Sequence, residues 1–206
     1  MLLYYITGRA QFSGTELQRL EQLLHRVGEA AHAGVDYIQL REKDLSSRQL
    51  EGLALAVVER VRGAGSAARV LINSRTDIAL AMGADGVHLR SNDVPPADVR
   101  SVWRTAGRAS DPIIAVSCHT VQEVLAAKDG GADFVVFGPV FGKSAAPGVG
   151  LTALRESCAC GIPVLALGGV TAENARSCIA AGAAGIAGIR LFQEGGLAGI
   201  RDRIHR

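Results

Sequence analysis

The chain predicts a parallel α/β fold, a single (βα)₈ TIM barrel filling one domain over residues 1–206. Three observations carry that reading. A short phrase recurs about every 50 residues: Gly34-Val35-Asp36-Tyr37-Ile38-Gln39-Leu40, Gly83-Ala84-Asp85-Gly86-Val87-His88-Leu89, Gly131-Ala132-Asp133-Phe134-Val135-Val136-Phe137 and Gly182-Ala183-Ala184-Gly185-Ile186-Ala187-Gly188. In each copy a glycine stops a helix, because it tolerates positive φ, and a buried strand follows at once. The spacing is one (βα)₂ unit, so four copies make eight strands. The strands are short and mostly apolar and alternate with helices, which suits a parallel sheet covered on its outer face. An open doubly wound sheet is the competing architecture, but its unlike edges and centre do not suit a fourfold repeat. No Gly-x-Gly-x-x-Gly follows the first strand, and there is no Walker loop.

Each element has a local reason. The first strand spans Leu2 to Thr7, and Leu17, Leu20, Leu23, Leu24, Val27 and Ala31 form the apolar stripe of the first helix. The second strand runs from Val35 to Arg41, and Ser46 or Ser47 caps a helix reaching about Arg62. The third strand is Arg69 to Asn73, followed by a short helix from Thr76 to Met82; the fourth is Gly86 to Leu89, with Pro95 and Pro96 opening the next helix. The fifth strand is Ile113 to Ser117, and Thr120 with Glu123 makes a capping box. The sixth strand, Asp133 to Gly138, precedes the longest glycine-rich loop, Pro139 to Gly150, and a helix from Leu151 to about Ala159. The seventh strand is Pro163 to Leu167, with Thr171 capping the following helix; the eighth is Gly185 to Ile189, and one final helix closes near Ile204.

Composition narrows the function. At 206 residues the chain is long enough for a sizeable core. A net charge of +2 with scattered Lys and Arg predicts no nucleic-acid-binding face. No stretch is long and apolar enough to span a membrane, and Met1 to Thr7 lacks the basic start and long apolar core of a secretion signal. Cys118, Cys158, Cys160 and Cys178 form no Cys-x-x-Cys pair, so they read as reduced thiols of a cytoplasmic protein. Trp103 and Phe192 read as core in preference to interface, and a homo-oligomer is left open.

A barrel keeps its chemistry at the C-terminal ends of its strands. Strand alternation puts Gln39, Arg41 and Lys43 on one side and Ile38 and Leu40 on the other, so the polar set faces the mouth. Two cations and an amide suit a polyphosphate, Arg as a bidentate donor and Lys as a mobile point charge. An amphipathic strand with one face in water is the plain alternative, but a barrel has no such face. Asn73 and Asp93 belong to the same rim; Asp93 can carry Mg²⁺ bridging to a phosphate, or serve as a loop aspartate ahead of Pro95. Ser117 and His119 end the fifth strand on a shared side, where a hydroxyl and an imidazole can handle protons. The plain reading of His119 is a helix-entry residue; His88 reads as a satisfied interior residue. Gly168-Gly169 and Gly188-Ile189-Arg190 end the seventh and eighth strands, where backbone N–H groups often hold a phosphate, with Arg190 as a side-chain donor. Two anion sites facing each other imply small phosphorylated substrates, one a diphosphate and one a monophosphate.

Taken together in order, Gln39-Leu40-Arg41-Glu42-Lys43, Gly83-Ala84-Asp85-Gly86-Val87-His88-Leu89, Val116-Ser117-Cys118-His119, Gly131-Ala132-Asp133-Phe134, Phe137-Gly138-Pro139-Val140-Phe141 and Ala166-Leu167-Gly168-Gly169-Val170 resemble the thiamin phosphate synthase and TenI family over nearly the whole chain. The resemblance implies an enzyme of thiamin biosynthesis, a transferase joining hydroxymethylpyrimidine diphosphate to a thiazole phosphate with release of diphosphate. It implies that Gln39, Arg41, Lys43 and Asn73 bind the diphosphate, that Asp93 holds Mg²⁺, that Ser117 lies by the pyrimidine, and that the glycine loops hold the thiazole phosphate. Three departures stand out. Asn73-Ser74 replaces Asn-Asp, so a second acidic ligand is missing; Gly142-Lys143-Ser144-Ala145-Ala146-Pro147-Gly148 replaces a Thr-x-Thr-Lys loop, with Lys143 and Ser144 as partial substitutes; and Arg190 replaces a serine. A TenI-like alternative isomerises a thiazole carboxylate phosphate without metal, using His119 as acid and base. A third reading is a catalytically silent phosphate-binding paralogue. The complete Gln-x-Arg-x-Lys set places the synthase first.

Overall fold

The computed structural model describes residues 1–142 and 147–205. Eight strands form a closed barrel in chain order, every neighbouring pair parallel and the last paired with the first. They are β1 (Leu2–Ile6), β2 (Tyr37–Leu40), β3 (Arg69–Asn73), β4 (Gly86–Arg90), β5 (Ile113–Cys118), β6 (Phe134–Phe137), β7 (Val164–Ala166) and β8 (Gly185–Gly188). A 3₁₀ turn (Arg9–Gln11) precedes α1 (Glu16–His32); the other helices are α2 (Ser47–Gly63), α3 (Thr76–Ala81), α4 (Pro96–Thr105), α5 (Val121–Asp129), α6 (Gly150–Cys158), α7 (Ala175–Ala180), α8 (Arg190–Gln193) and α9 (Ile200–His205). Thr15, Ser46 and Thr120 start α1, α2 and α5 with complete capping boxes.

The recurring phrase builds the N-terminal end of the barrel. Gly34, Gly83, Gly131 and Gly182 all take left-handed φ, of 76°, 70°, 86° and 103°, a conformation costing other residues roughly 1–2 kcal/mol. In the first three copies the aspartate two positions on then ties down the preceding strand. Asp36, Asp85 and Asp133 accept the N–H groups of Leu3, Val70 and Ile114 at 2.7, 2.8 and 2.7 Å. Each carboxylate also pairs with an arginine: Arg201, Arg69 and Arg100 respectively.

Three expectations about boundaries are corrected. β2 stops at Leu40, not Arg41, because the Arg41 N–H leaves the ladder and donates to Thr7 Oγ1 at 2.9 Å. The segment after β7 is a turn before α7: Thr171 N–H donates to Asn174 Oδ1 at 2.8 Å, while Asn174 Nδ2 reaches back to Gly169 O at 2.9 Å. The expected last helix is two, α8 and α9, divided by a stretch holding Gly195, Gly196 and Gly199, the last with φ of 64°.

Alternation along the strands sorts the core. Leu3, Tyr5, Ile38, Leu40, Val70, Ile72 and Val87 face the helices, with Trp103 and Phe192 buried in the same layer. Tyr4, Ile6, Leu71, Ala115, Phe134, Val136, Leu165 and Ala187 fill the barrel interior. There Tyr4 and Tyr37 stack edge to face at 5.8 Å, and Tyr37 and Phe134 lie 4.8 Å apart. Two residues further along β2, β3, β4 and β5 the inward side chain becomes polar: Gln39, Asn73, His88 and Ser117. The barrel is thus plugged by aromatics below and lined by polar groups at its C-terminal mouth.

Candidate active site

The cations of the mouth are positioned from below by a buried acid. Glu42 is nearly fully buried and accepts from Thr7 Oγ1 at 2.7 Å and from Arg9 Nη1 at 3.0 Å. Arg9, equally buried, also bonds Asp44 through both terminal nitrogens, at 2.7 and 2.6 Å, and Glu16 through Nε. The Asp44 hydrogen bond is the main reason the Arg9 pKa is raised; burial opposes it. Glu42 is thus drawn toward Arg9, while the charge of its neighbour Arg41 is felt at His88 and at Lys43. Arg41 is half-buried and Lys43 exposed. Among the described residues neither makes an ion pair. The charge of Arg41 lowers the Lys43 pKa, with burial and Arg90 adding to the effect, so three cations share one rim. Strand alternation suggested the strand-2 set would point as one; Gln39 lies within β2, whereas Arg41 and Lys43 belong to the loop after it, where Thr7 takes the Arg41 N–H and Arg9 holds Glu42.

Gln39 is buried, and its Nε2 donates to Asn73 Oδ1 at 2.9 Å while Oε1 has no partner. Asn73 therefore adjoins Gln39, as expected from the sequence. Ser74 follows in the left-handed region at φ 55° and donates to Asp93 Oδ2 at 2.6 Å. Asp93 is already committed. Its Oδ1 takes Arg90 Nη2 at 2.8 Å and Nε at 3.1 Å, and its Oδ2 takes the Arg90 N–H at 2.8 Å. Burial raises the Asp93 pKa, but the bonds from Arg90 and Ser74 outweigh it and the net shift is downward. Among the described residues no three His, Cys, Asp or Glu side chains converge as a metal site. The group in place does not fit the expected Mg²⁺: a single carboxylate is present and a guanidinium sits against it.

On the next two strands, β4 and β5, Ser117 is half-buried and hydrogen-bonded to His88 Nε2 at 2.7 Å. His88 is buried and bonded on its other nitrogen to the Tyr4 hydroxyl at 2.8 Å. It is the satisfied interior histidine the sequence suggested. Burial, with a contribution from Arg41, pushes its pKa down to about 3, so the ring is neutral. His119 lies just past β5, exposed, with Nδ1 bonded to Gly138 O. A neutral His119 making that bond is protonated at Nδ1 and keeps an acceptor lone pair at Nε2.

The loops after β6 and β7 run together. Val140 N–H donates to Leu167 O at 2.7 Å and Phe141 N–H to Gly168 O at 2.9 Å. Gly168 and Gly169 have φ of 94° and 65°, and a Cβ at Gly168 would lie 2.5 Å from Pro139 Cα. Only glycines allow this approach. Among the described residues the N–H groups of Gly168, Gly169 and Ile189 meet no acceptor, leaving them as donors at the rim. Gly188 is the buried end of β8, Ile189 packs toward the interior and Arg190 is exposed at the start of α8. Lys143 and Ser144 lie outside the described residues. The site is marked by convergence of polar strand ends and not by cavity size: a hollow of about 490 Å³ lies among Leu24, His32, Glu59 and Arg60 of the outer helices.

Sequence reasoning missed Thr7, Arg9 and Arg90. The available signals were an acid, Glu42, wedged between two cations, and an arginine directly following a strand end.

Comparison with known proteins agrees with the barrel and its motifs. A family model described as thiamine monophosphate synthase matches residues 3–192. A thiamine-phosphate synthase of Methanoculleus marisnigri is 38% identical over 215 residues, covering 98% of this chain and 94% of the relative. One from Chlorobium luteolum is 43% identical over 169 residues, covering 80% of this chain and 76% of the relative. The solved structure of thiamine phosphate pyrophosphorylase from Pyrococcus furiosus is 29% identical at a TM-score of 0.79, covering 99% of this chain and 95% of that one. The motifs that suggested a resemblance thus run through a shared fold and a shared sequence pattern, and the chain belongs to the thiamine monophosphate synthase family.

Proposed function

We propose that this protein is a thiamin phosphate synthase, a transferase that joins hydroxymethylpyrimidine diphosphate to a thiazole phosphate and releases diphosphate. The observation that carries the reading is a rim on which, among the described residues, Arg41 and Lys43 stand without ion pairs, at the same barrel end as the Gly168 and Gly169 amides that meet no acceptor there. Uncompensated cations in a partly buried bowl are stabilised by a bound polyanion. Gln39 and Asn73 offer the polar floor beside them, with Lys143 a further donor by sequence.

The chemistry follows from charge. The bond between the pyrimidine methylene carbon and the diphosphate oxygen breaks, and its electron pair leaves with the diphosphate. Arg41, Lys43 and Arg90 stabilise the charge as it develops, and they do so best in the transition state. The carbocation left beside Ser117 is captured by the lone pair of the thiazole nitrogen. The amides of Gly168, Gly169 and Ile189 hold the thiazole phosphate, with Gly188 and Arg190 beside them. Mg²⁺ is the cofactor the resemblance brings, and Asp93 is its expected ligand; with Arg90 on that carboxylate, no step is routed through a metal. Four free thiols support a cytoplasmic setting, and residues 1–206 are read as one domain.

The test is diphosphate release from the purified protein given both substrates. Turnover that collapses in Arg41→Ala is expected; no turnover beside an active control enzyme rejects the reading. A second reading, the thiazole tautomerase, is favoured by His119, whose contact with Gly138 O leaves Nε2 free as a base. It predicts conversion of thiazole carboxylate phosphate in EDTA, lost in His119→Ala. Binding of both ligands without either turnover is the signature of the silent paralogue.

A further inference from the structure

Tyr4, His88 and Ser117 form a hydrogen-bonded line from the barrel interior to the mouth, with spans of 2.8 and 2.7 Å. The ring nitrogens of His88 are its two middle positions. Both end groups are hydroxyls, which can donate or accept, so the direction of the line depends on where its protons lie. A neutral imidazole carries one N–H. Two arrangements are available. In one, the Tyr4 O–H donates to Nδ1 and Nε2–H donates to Ser117 Oγ. In the other, Nδ1–H donates to the Tyr4 oxygen and the Ser117 O–H donates to Nε2.

The surroundings choose between them. Tyr4 is fully buried among Ile6, Leu71 and Phe134, and His88 is its one side-chain hydrogen-bond partner among the described residues. In the second arrangement the phenol proton would face that apolar interior with no acceptor. Orphaning a buried donor is costly, whereas a hydroxyl oxygen at the mouth meets water or ligand. The first arrangement leaves no orphan. The charged groups acting on the ring, Arg41 against protonation and Asp93 for it, do not alter this, because burial keeps His88 neutral.

We infer that His88 is held as its Nε2–H tautomer, which donates into one of the two acceptor lone pairs of Ser117 Oγ and leaves the Ser117 O–H to be donated into the mouth. A ligand that presents a hydrogen-bond acceptor, such as an unprotonated heteroaromatic ring nitrogen, then satisfies the Ser117 O–H, whereas one that offers only donors leaves it unpaired. His88 is in this sense a positioning residue: it touches no substrate and sets the polarity of one that does. The identity of the ligand rests on the synthase reading; the tautomer does not.

The experiment is two-bond ¹H–¹⁵N correlation of the imidazoles in the ¹⁵N-labelled full chain at neutral pH, with His88→Gln assigning the signals. The Nε2–H pattern is expected for His88; an Nδ1–H pattern, or a doubly protonated ring, overturns the inference whatever the protein catalyses. Calorimetry with hydroxymethylpyrimidine diphosphate adds the functional arm: Ser117→Ala should weaken binding about tenfold and Ser117→Thr should restore it. Equal affinities for wild type and Ser117→Ala overturn this pairing. Failure of the wild type to bind that ligand at all counts against the synthase reading and leaves the tautomer to be decided by the spectrum.

Discussion

The two ends of this barrel handle charge in opposite ways. At the N-terminal end, Asp36, Asp85 and Asp133 each receive a strand N–H and an arginine, so the cations there are neutralised as they are used. At the C-terminal end, Arg41 and Lys43 have no such partners among the described residues, because the carboxylates nearby are tied to other cations, Glu42 and Asp44 to Arg9 and Asp93 to Arg90. A net charge of +2 conceals this difference, because charge matters here by position. Where charge only holds the fold, it is balanced locally. Where a ligand must bring the balance, it is left open, and the strain on Lys43 from its like-charged neighbours is the mark of that opening.

The comparison makes graded predictions. The largest is at the open end: Arg41→Ala should lower kcat/KM by about 10²–10³-fold while leaving the thermal midpoint unchanged, as steady-state kinetics and melting curves would report. A rate close to wild type breaks the contrast at once. Next is the balanced end. Asp133→Ala removes an ionised acceptor from the Ile114 N–H and should cost about 1.5–3 kcal/mol in urea unfolding, with kcat/KM retained. Loss of activity without loss of stability would reverse the roles of the two ends.

The third prediction concerns His88, between the two. Its folded pKa of about 3 lies below the ordinary 6.5, so the unfolded chain binds the extra proton first. The stability this contributes is complete above about pH 6.5 and is lost as pH falls toward 3, at up to about 1.4 kcal/mol per pH unit. His88→Gln should flatten that slope in urea titrations; an unchanged slope means another group carries it. The smallest effect is at the rim. Inorganic diphosphate should bind in EDTA, and Arg90→Ala should weaken it roughly tenfold. Binding abolished by chelation alone would show that Asp93 trades Arg90 for an ion.

Much of this was legible in the sequence. The four glycine phrases foretold eight strands, and Thr120 with Glu123 foretold a capping box, because both signals are local. Strand alternation put Gln39 on the inward face and the end of the third strand put Asn73 at the same rim, where the two side chains meet. Trp103 and Phe192 were read as core, and they are. What escaped reading depends on partners far apart in the chain. β2 ends early because Thr7, 34 residues away, takes the Arg41 N–H. Glu42 is sequestered by Arg9, 33 residues earlier, so the separation of this acid from its cationic neighbours has a cause that no strand period contains. Arg90 was passed over because its bond to Asp93 needs a turn that the sequence Arg90-Ser91-Asn92-Asp93 does not announce.

The loop after β6 has a consequence for how such proteins diversify. Its two feet are fastened to each other: Val149 N–H donates to Pro139 O at 2.8 Å and Gly150 N–H to Val140 O at 3.0 Å. Gly148 allows the closeness, since a Cβ there would sit 2.3 Å from Val140 O. The clasp closes through main-chain groups of Pro139, Val140, Val149 and Gly150, and no side chain takes part in those bonds. Main-chain bonds are indifferent to side-chain identity, so sequence on this rim can change its chemistry while Gly148 is kept and the strand ends beneath hold their places.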